Sequence, residues 1–245
     1  MTKETMPNPD DKSQPAAEEH QGAFEPPRFV VGIGASAGGL DPLGKIGNSS
    51  PPVISNDVIV VGPALTPGGR VNKANVKADV MAFDVRSGKK LWTFHTIPRK
   101  GEPGYETWLT GAEYTGNAGV WGPFSADPQL GNVYLNIEAP TNDVYGGHRH
   151  GNNLFADSLV CLDIRTGKMK WYQQLVHHDI WDYDMPPHPI LIDITVDGRR
   201  IPTVVQLTKQ AFAYVFDRSN GKPVWPLVEK AEPFDREPHA RPQRA

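Results

Sequence analysis

One pattern occurs three times and constrains this chain more than any other feature: Asp84-Val-Arg-Ser-Gly-Lys-Lys-Leu-Trp92, Asp163-Ile-Arg-Thr-Gly-Lys-Met-Lys-Trp171 and Asp217-Arg-Ser-Asn-Gly-Lys-Pro-Val-Trp225. Asp, Gly, Lys and Trp keep their offsets in every copy. Each copy reads as a strand, a tight turn and a return strand, in which the Asp carboxylate caps turn amides, Gly supplies a positive φ and Trp docks between neighbouring sheets. Repeats of this kind are propeller blades. The second and third copies lie about one blade apart. The longer gap between the first and second predicts a large insertion between strands, a place suited to carry chemistry.

The texture of the chain agrees. From 44 to 229, short β-branched or aromatic runs (58–61, 133–135, 203–207, 213–216) alternate with Gly, Pro, Asn and Asp, with hardly a helical period. With 24 Gly and 24 Pro in 245 residues, a helical bundle is excluded. No run reaches the roughly 18 apolar residues that a membrane helix needs, so no transmembrane segment is expected. The formal charge of −3 arises in the acidic first 28 residues and leaves the remainder neutral. Nucleic acid and anionic membrane are therefore not expected partners. Cys161 is the single cysteine, which excludes an internal disulfide, a Cys-based zinc site and a C-x-x-C-H haem attachment.

Residues 1–28 are polar and Pro-punctuated, without the basic and apolar regions of a secretory signal, and read as a disordered leader; 230–245 read as a disordered tail. Between leader and β region, 29–43 begins with an apolar strand and a small-residue turn, Phe29-Val-Val-Gly-Ile-Gly-Ala-Ser-Ala-Gly-Gly, which looks like the start of an α/β unit.

Four segments flanking the Trp repeats carry a resemblance: GVWGPFSADP (119–128), PTNDVYGGH (140–148), VHHDIWDYDMP (176–186) and LTKQAFAYVFDR (207–218). In that order they resemble the glucose-dehydrogenase branch of the pyrroloquinoline quinone dehydrogenases, across 44–229. The resemblance implies an all-β fold, a partial β-propeller of about three to four blades out of an eight-bladed quinoprotein whose axial pocket holds the quinone and a calcium ion. It implies oxidation of a sugar or alcohol by hydride transfer to pyrroloquinoline quinone, with electrons passing to a membrane quinone or a separate carrier. It also implies a periplasmic location, and a fragment inactive alone. Residues 30–40 separately resemble the opening of a chemotaxis receptor methylesterase domain, with Ser36 at the nucleophile's place. Such a nucleophile needs a His and an Asp from its own domain, and the β region that follows does not belong to that fold, so Ser36 is expected to be catalytically silent.

Carried onto these residues, the resemblance puts the general base at Asp182, with Asp179 and Asp184 beside it. Oxidising an alcohol removes its O–H proton as hydride leaves carbon, and a carboxylate among aromatics and other acids suits that task. His177, Trp181, Tyr183 and Pro186 make the segment too apolar for an ordinary surface turn. Lys209, between the matching Thr208 and Gln210, falls where the family sets an ammonium against the quinone carbonyls. Trp121 falls where a tryptophan lies under the quinone ring, and a large flat side chain is what a planar cofactor needs for stacking. Thr141 falls beside the calcium, Asn142 and Asp143 are further hard oxygen donors, and Asp184 is a candidate metal ligand. Of the family's earlier acidic residue only Asp79 remains as a counterpart. His148, His150, His177 and His178 lack a matching carboxylate partner and do not point to zinc. The competing reading, from another class, is a non-catalytic propeller segment that scaffolds other proteins, which has no reason to bring Asp182, Lys209 and Trp121 together.

Overall fold

The computed structural model describes residues 51–63, 71, 73, 77–116 and 118–228. The expected leader, the strand–turn with Ser36 and the expected tail lie outside the described residues. The described part is all-β apart from two short 3₁₀ turns, Tyr105–Trp108 and Gly111–Glu113. No described helix is long and apolar enough to cross a membrane.

Three antiparallel sheets follow one another along the chain. The first contains β1 (Val53–Ser55), β2 (Val58–Val61), β3 (Val80–Asp84) and β4 (Lys90–Phe94) in that order. The second contains β5 (Ser125–Asp127), β6 (Asn132–Asn136), β7 (Ser158–Asp163) and β8 (Met169–Gln174). The third contains β9 (Ile190–Val196), β10 (Arg199–Leu207) and β11 (Ala213–Asp217), with a bridge from Phe216 to Pro223 starting a return strand. The first strands of the sheets are neighbours, β5 lying against β1 on one side and β9 on the other. This is a partial β-propeller, three blades of it among the described residues.

The second sheet is buried on both faces, and its sequence shows why. Successive side chains of a strand point to opposite faces. In β6 and β7, Val133, Leu135, Val160 and Leu162 pack with Val58, Val60, Ala82 and Trp92 of the first sheet. The alternate residues Tyr134, Leu159 and Cys161 pack with Trp171 of β8 and with Val204 and Phe216 of the third sheet. A strand with apolar residues on both faces reads as a continuous hydrophobic run, which is the texture of Ser158-Leu-Val-Cys-Leu-Asp163. Burial pushes the Cys161 thiol up to about 12, so it acts as a small core hydrophobe.

The repeat does what its residues dictate. Asp84 Oδ1 accepts from the backbone N–H of Arg86 and Ser87, Asp163 Oδ1 from those of Arg165 and Thr166, and Asp217 Oδ1 from that of Ser219. These bonds hold the Asp84 and Asp163 carboxyls below the usual range: for Asp84 through Ser87 and Arg86, and for Asp163 through Thr166 acting against its partial burial. Gly88, Gly167 and Gly221 have φ of 69°, 70° and 75°. For two of them the glycine has a second function. A Cβ on Gly167 would lie 2.6 Å from Cγ of Trp92, and one on Gly221 would lie 2.5 Å from Cδ2 of Trp171. The tryptophan of the first and of the second blade is therefore laid on the turn glycine of the next. Trp92 also donates its indole N–H to the Ile164 carbonyl at 2.9 Å. Trp225, at the same offset in the third copy, is 52% exposed.

An ion-pair clamp joins the second and third sheets: Arg218 donates to Asp127 and to Asp193, each at 2.8 Å, with Asp127 almost fully buried. The registers also sort the connections. Within every sheet the tight turns (residues 56–57, 85–89, 128–131, 164–168, 197–198) lie at one end of the strands, and the connections at the other end include every long one.

Candidate functional site

Four connections meet at the long-loop end: 118–124 before β5, 137–157 between β6 and β7, 175–189 between β8 and β9, and 208–212 between β10 and β11. Each contributes at least one of the residues singled out in the sequence. The ammonium of Lys209 lies 2.7 Å from Asp182 Oδ2 and 2.9 Å from Asp184 Oδ2. The indole N–H of Trp121 donates to Asp184 Oδ2 at 3.2 Å, and the backbone N–H of Ala139 to Asp184 Oδ1 at 2.7 Å. Asp184 is thus the buried hub that ties the connection carrying Trp121 to those carrying Ala139 and Lys209. Asp182, with 41% of its side chain exposed, faces outward from it.

The backbone makes this possible by specific local devices. Buried Asp179 accepts from the N–H of Trp181 at 3.0 Å and of Tyr183 at 2.8 Å, folding 179–183 over its own side chain. Asp182 has φ 58°, a left-handed conformation that Asp tolerates better than most residues. The segment inverts its expected burial: Trp181 is 69% exposed while Asp179 and Asp184 are buried. The segment is folded around its acids, because a buried carboxylate needs hydrogen-bond donors, here backbone amides, the Trp121 indole and the Lys209 ammonium. Lys209 is held from behind, its N–H donating to the Asp184 carbonyl at 3.2 Å. On the other side Gly122 approaches so closely that a Cβ would lie 2.5 Å from the Pro186 carbonyl oxygen and 2.6 Å from Asn136 Nδ2.

Electrostatics follow from this packing. Burial raises the Asp184 carboxyl; the Ala139 N–H and Lys209 oppose the rise, and the neighbouring Asp182 adds to it. Burial acts to lower Lys209, but hydrogen bonds to Asp182 and Asp184 prevail, and its ammonium is held above the usual lysine value. Asp143 is raised by burial and then by the fields of Asp182 and Asp184, which places it among the same acids.

The sequence did not single out Arg149 and Asp157, which support the site from below. Fully buried Arg149 donates to Asn153 Oδ1 at 2.8 Å and to the Asp179 carbonyl, tying 137–157 to 175–189. Asp157 is buried with neither carboxylate oxygen hydrogen-bonded among the described residues, and burial first, then Asp179 and Asp184, raises it well above the usual carboxylate range. An arginine in His148-Arg-His and an acid ahead of an apolar strand are unremarkable as sequence, and only the fold shows their burial.

For a flat anionic redox cofactor the polar set fits. A charged ammonium stands beside a half-buried indole, and on either side of Lys209 the buried Thr208 Oγ1, a donor or acceptor, and Gln210 Oε1, an acceptor, have no hydrogen-bond partner among the described residues. For a calcium ion the described residues offer only part of a shell. Both oxygens of Asp184 already accept from N–H donors or the Lys209 ammonium. Asp79, the early acid, is engaged by Arg99 at 2.8 and 2.9 Å. Among the described residues no cluster of three or more His, Cys, Asp or Glu is arranged to hold a metal. Thr141 is buried in the 137–157 connection, and with Asn142, Asp143 and Asp184 it makes up a part of the six to eight oxygens that calcium takes.

The family model of the β-propeller domain of glucose, ethanol and alcohol PQQ dehydrogenases matches residues 31–243. The chain is 34% identical over 189 residues to quinoprotein glucose dehydrogenase of Escherichia coli K12, covering 76% of the chain and 23% of that protein. It is 35% identical over 189 residues to quinate/shikimate dehydrogenase (quinone) of Acinetobacter baylyi, covering 74% and 22%. The crystallised quinohemoprotein alcohol dehydrogenase ADHIIG of Pseudomonas putida HK5 superposes with a TM-score of 0.63 at 27% identity, over 72% of this chain and 27% of that one. The chain spans under a quarter of the length of these two curated relatives.

Proposed function

The chain belongs to the pyrroloquinoline quinone dehydrogenase β-propeller family, and from that membership we propose that it forms one wall of a quinoprotein active site that oxidises a sugar or an alcohol. The observation that carries the proposal is the Lys209 ammonium bridging Asp182 and Asp184 while Asp184 holds the Trp121 indole. That convergence supports catalysis over scaffolding. The partly exposed Asp182 carboxylate accepts the proton of the substrate hydroxyl. Lys209 presents a fixed positive charge to the oxygens of the bound ring, and Trp121 offers it a face for stacking. When bound, pyrroloquinoline quinone supplies the two-electron acceptor for hydride. A membrane quinone or separate carrier as the next acceptor and a periplasmic location are parts of the same proposal, as is inactivity of these three blades without further ones.

Titration of the purified chain with pyrroloquinoline quinone, followed by tryptophan fluorescence, tests the wall. Saturable quenching that weakens at least about tenfold in Lys209→Met and disappears in Trp121→Ala is expected. Equal quenching in all three proteins would remove these residues from the site. A dye-linked assay with glucose or ethanol is expected to show no turnover, and turnover by the chain alone would overturn the fragment reading.

A further inference from the structure

A cavity of about 290 Å³, open to solvent, lies between β4 and β8, the last strands of the first and second sheets. Its walls come from both sheets. Phe94 and His95 stand at the end of β4, Pro98 and Glu102 in the connection after it, and Phe155 and Met169 on the side of the second sheet. None of these residues belongs to the site of Asp182, Lys209 and Trp121. Ring contacts fix the apolar walls: the Phe94 and Phe155 rings lie 5.2 Å apart at 54°, and Phe155 stands edge-on to Tyr172 at 5.4 Å. Phe155 is buried, whereas Met169 is partly open to solvent and keeps an adaptable thioether.

One polar pair interrupts this lining. His95 Nδ1 lies 2.8 Å from Glu102 Oε1 and 3.0 Å from Oε2, and Oε2 also accepts the Arg99 N–H at 2.6 Å. Burial works to raise the Glu102 carboxyl, but the Arg99 N–H and His95 prevail and hold it below the usual range. An ionised carboxylate only accepts, so Nδ1 carries the hydrogen, and in the neutral imidazole Nε2 presents a lone pair. Nε2 has no hydrogen-bond partner among the described residues. The ring is therefore held in one tautomer from one side, with its other nitrogen left for a ligand.

We propose that this cavity binds a small free phenol, its ring among Phe94, Phe155 and Met169 and its hydroxyl donating to His95 Nε2. Size and chemistry choose the occupant. An apolar cavity of about 150 Å³ holds one benzene, so this one takes a single ring with small substituents. Aromatic walls and a thioether favour a flat ring over an aliphatic one. An arene without a hydroxyl leaves Nε2 unpaired, and an aromatic carboxylate sets a second negative charge beside Glu102. The inference does not depend on the cofactor reading.

Titration of the full cofactor-free chain with phenol, toluene and cyclohexanol, followed through its backbone amide signals by NMR, tests it. Phenol is expected to shift the Phe94, Glu102 and Met169 amides saturably in the millimolar range, with toluene and cyclohexanol binding at least about fivefold more weakly, the factor that one hydrogen bond supplies. His95→Leu keeps an apolar wall and removes the acceptor; the side chain is 31% exposed, and the rest of the amide spectrum checks that the variant folds. In it, phenol and toluene are expected to bind within about twofold of one another. Absence of saturable shifts at the three amides, toluene or cyclohexanol matching phenol, or a preference for phenol that survives His95→Leu would each overturn the proposal. The first two need no variant, so they decide the matter even if His95→Leu does not fold.

Discussion

Replacing Gly167 by Ala tests whether the blades are stacked indole-on-glycine. Two costs combine at this position. An L-residue at φ 70° loses about 1–2 kcal/mol to the clash of Cβ with its own backbone. The new methyl also lies 2.6, 2.7 and 2.9 Å from three atoms of Trp92, and relieving such overpacking costs about 1–3 kcal/mol. Gly198, in the Asp197-Gly198 turn between β9 and β10, separates the two costs. Its φ is 74° and a Cβ there meets nothing within 4 Å, so Gly198→Ala carries the conformational cost alone. With a urea slope of about 2 kcal/mol per M, Gly198→Ala is expected to lower the unfolding midpoint by about 0.5–1 M and Gly167→Ala by about 1–2.5 M. Adding Trp92→Leu to Gly167→Ala removes the obstacle, so the double variant should cost less than the sum of the singles. Equal midpoints for Gly167→Ala and Gly198→Ala, or strict additivity in the double variant, would refute the stacking.

Three further outcomes follow from contacts elsewhere. Trp92→Phe gives up the indole bond to the Ile164 carbonyl whereas the buried Trp171 indole has no hydrogen-bond partner among the described residues, so denaturation should show Trp92→Phe costing about 1 kcal/mol more than Trp171→Phe. Arg218→Met leaves Asp127 buried without its cation, and a loss of about 3 kcal/mol in urea unfolding is expected, recovered in large part by adding Asp127→Asn. Asp157 is raised in the folded chain by burial, so its contribution to stability is fully present below the unfolded carboxylate value of about 4 and is lost as pH rises from there through the folded value. Melting curves from pH 4 upward should therefore show the melting temperature of the unsubstituted chain falling relative to that of Asp157→Asn; parallel curves would mean that the carboxyl is not buried uncharged.

What the sequence reveals depends on the range of the interaction. The repeat was legible because its Asp, Gly and turn amides lie within a few residues of one another; its reading as a capped turn holds in all three copies, and the docked Trp in the first two. β9 escaped that reading: Ile-Leu-Ile-Asp-Ile-Thr-Val has one exposed edge and no repeat to mark it. At the site, Asp182, Lys209 and Trp121 were legible through the motifs of the resemblance, and the structure brings them to one place. Asp184 was singled out as a candidate metal ligand; what the sequence did not show is that both its oxygens accept from donors on three separate connections. No spacing in the sequence encodes a hub assembled from residues 121, 139 and 209. The burial of Arg149 and Asp157 is hidden for the same reason, since it is created by segments far away along the chain.

The sorting of connections has a practical side. Hairpins at 87, 166 and 219 are short, self-capped and opposite the acids, so a reporter or immobilising tag grafted there should leave ligand chemistry untouched. Conversely, lengthening or exchanging the loops at 95–124, 137–157 or 175–189 rewrites the mouth without disturbing the ladders beneath it. Such an arrangement lets binding preference diversify while the architecture stays constant.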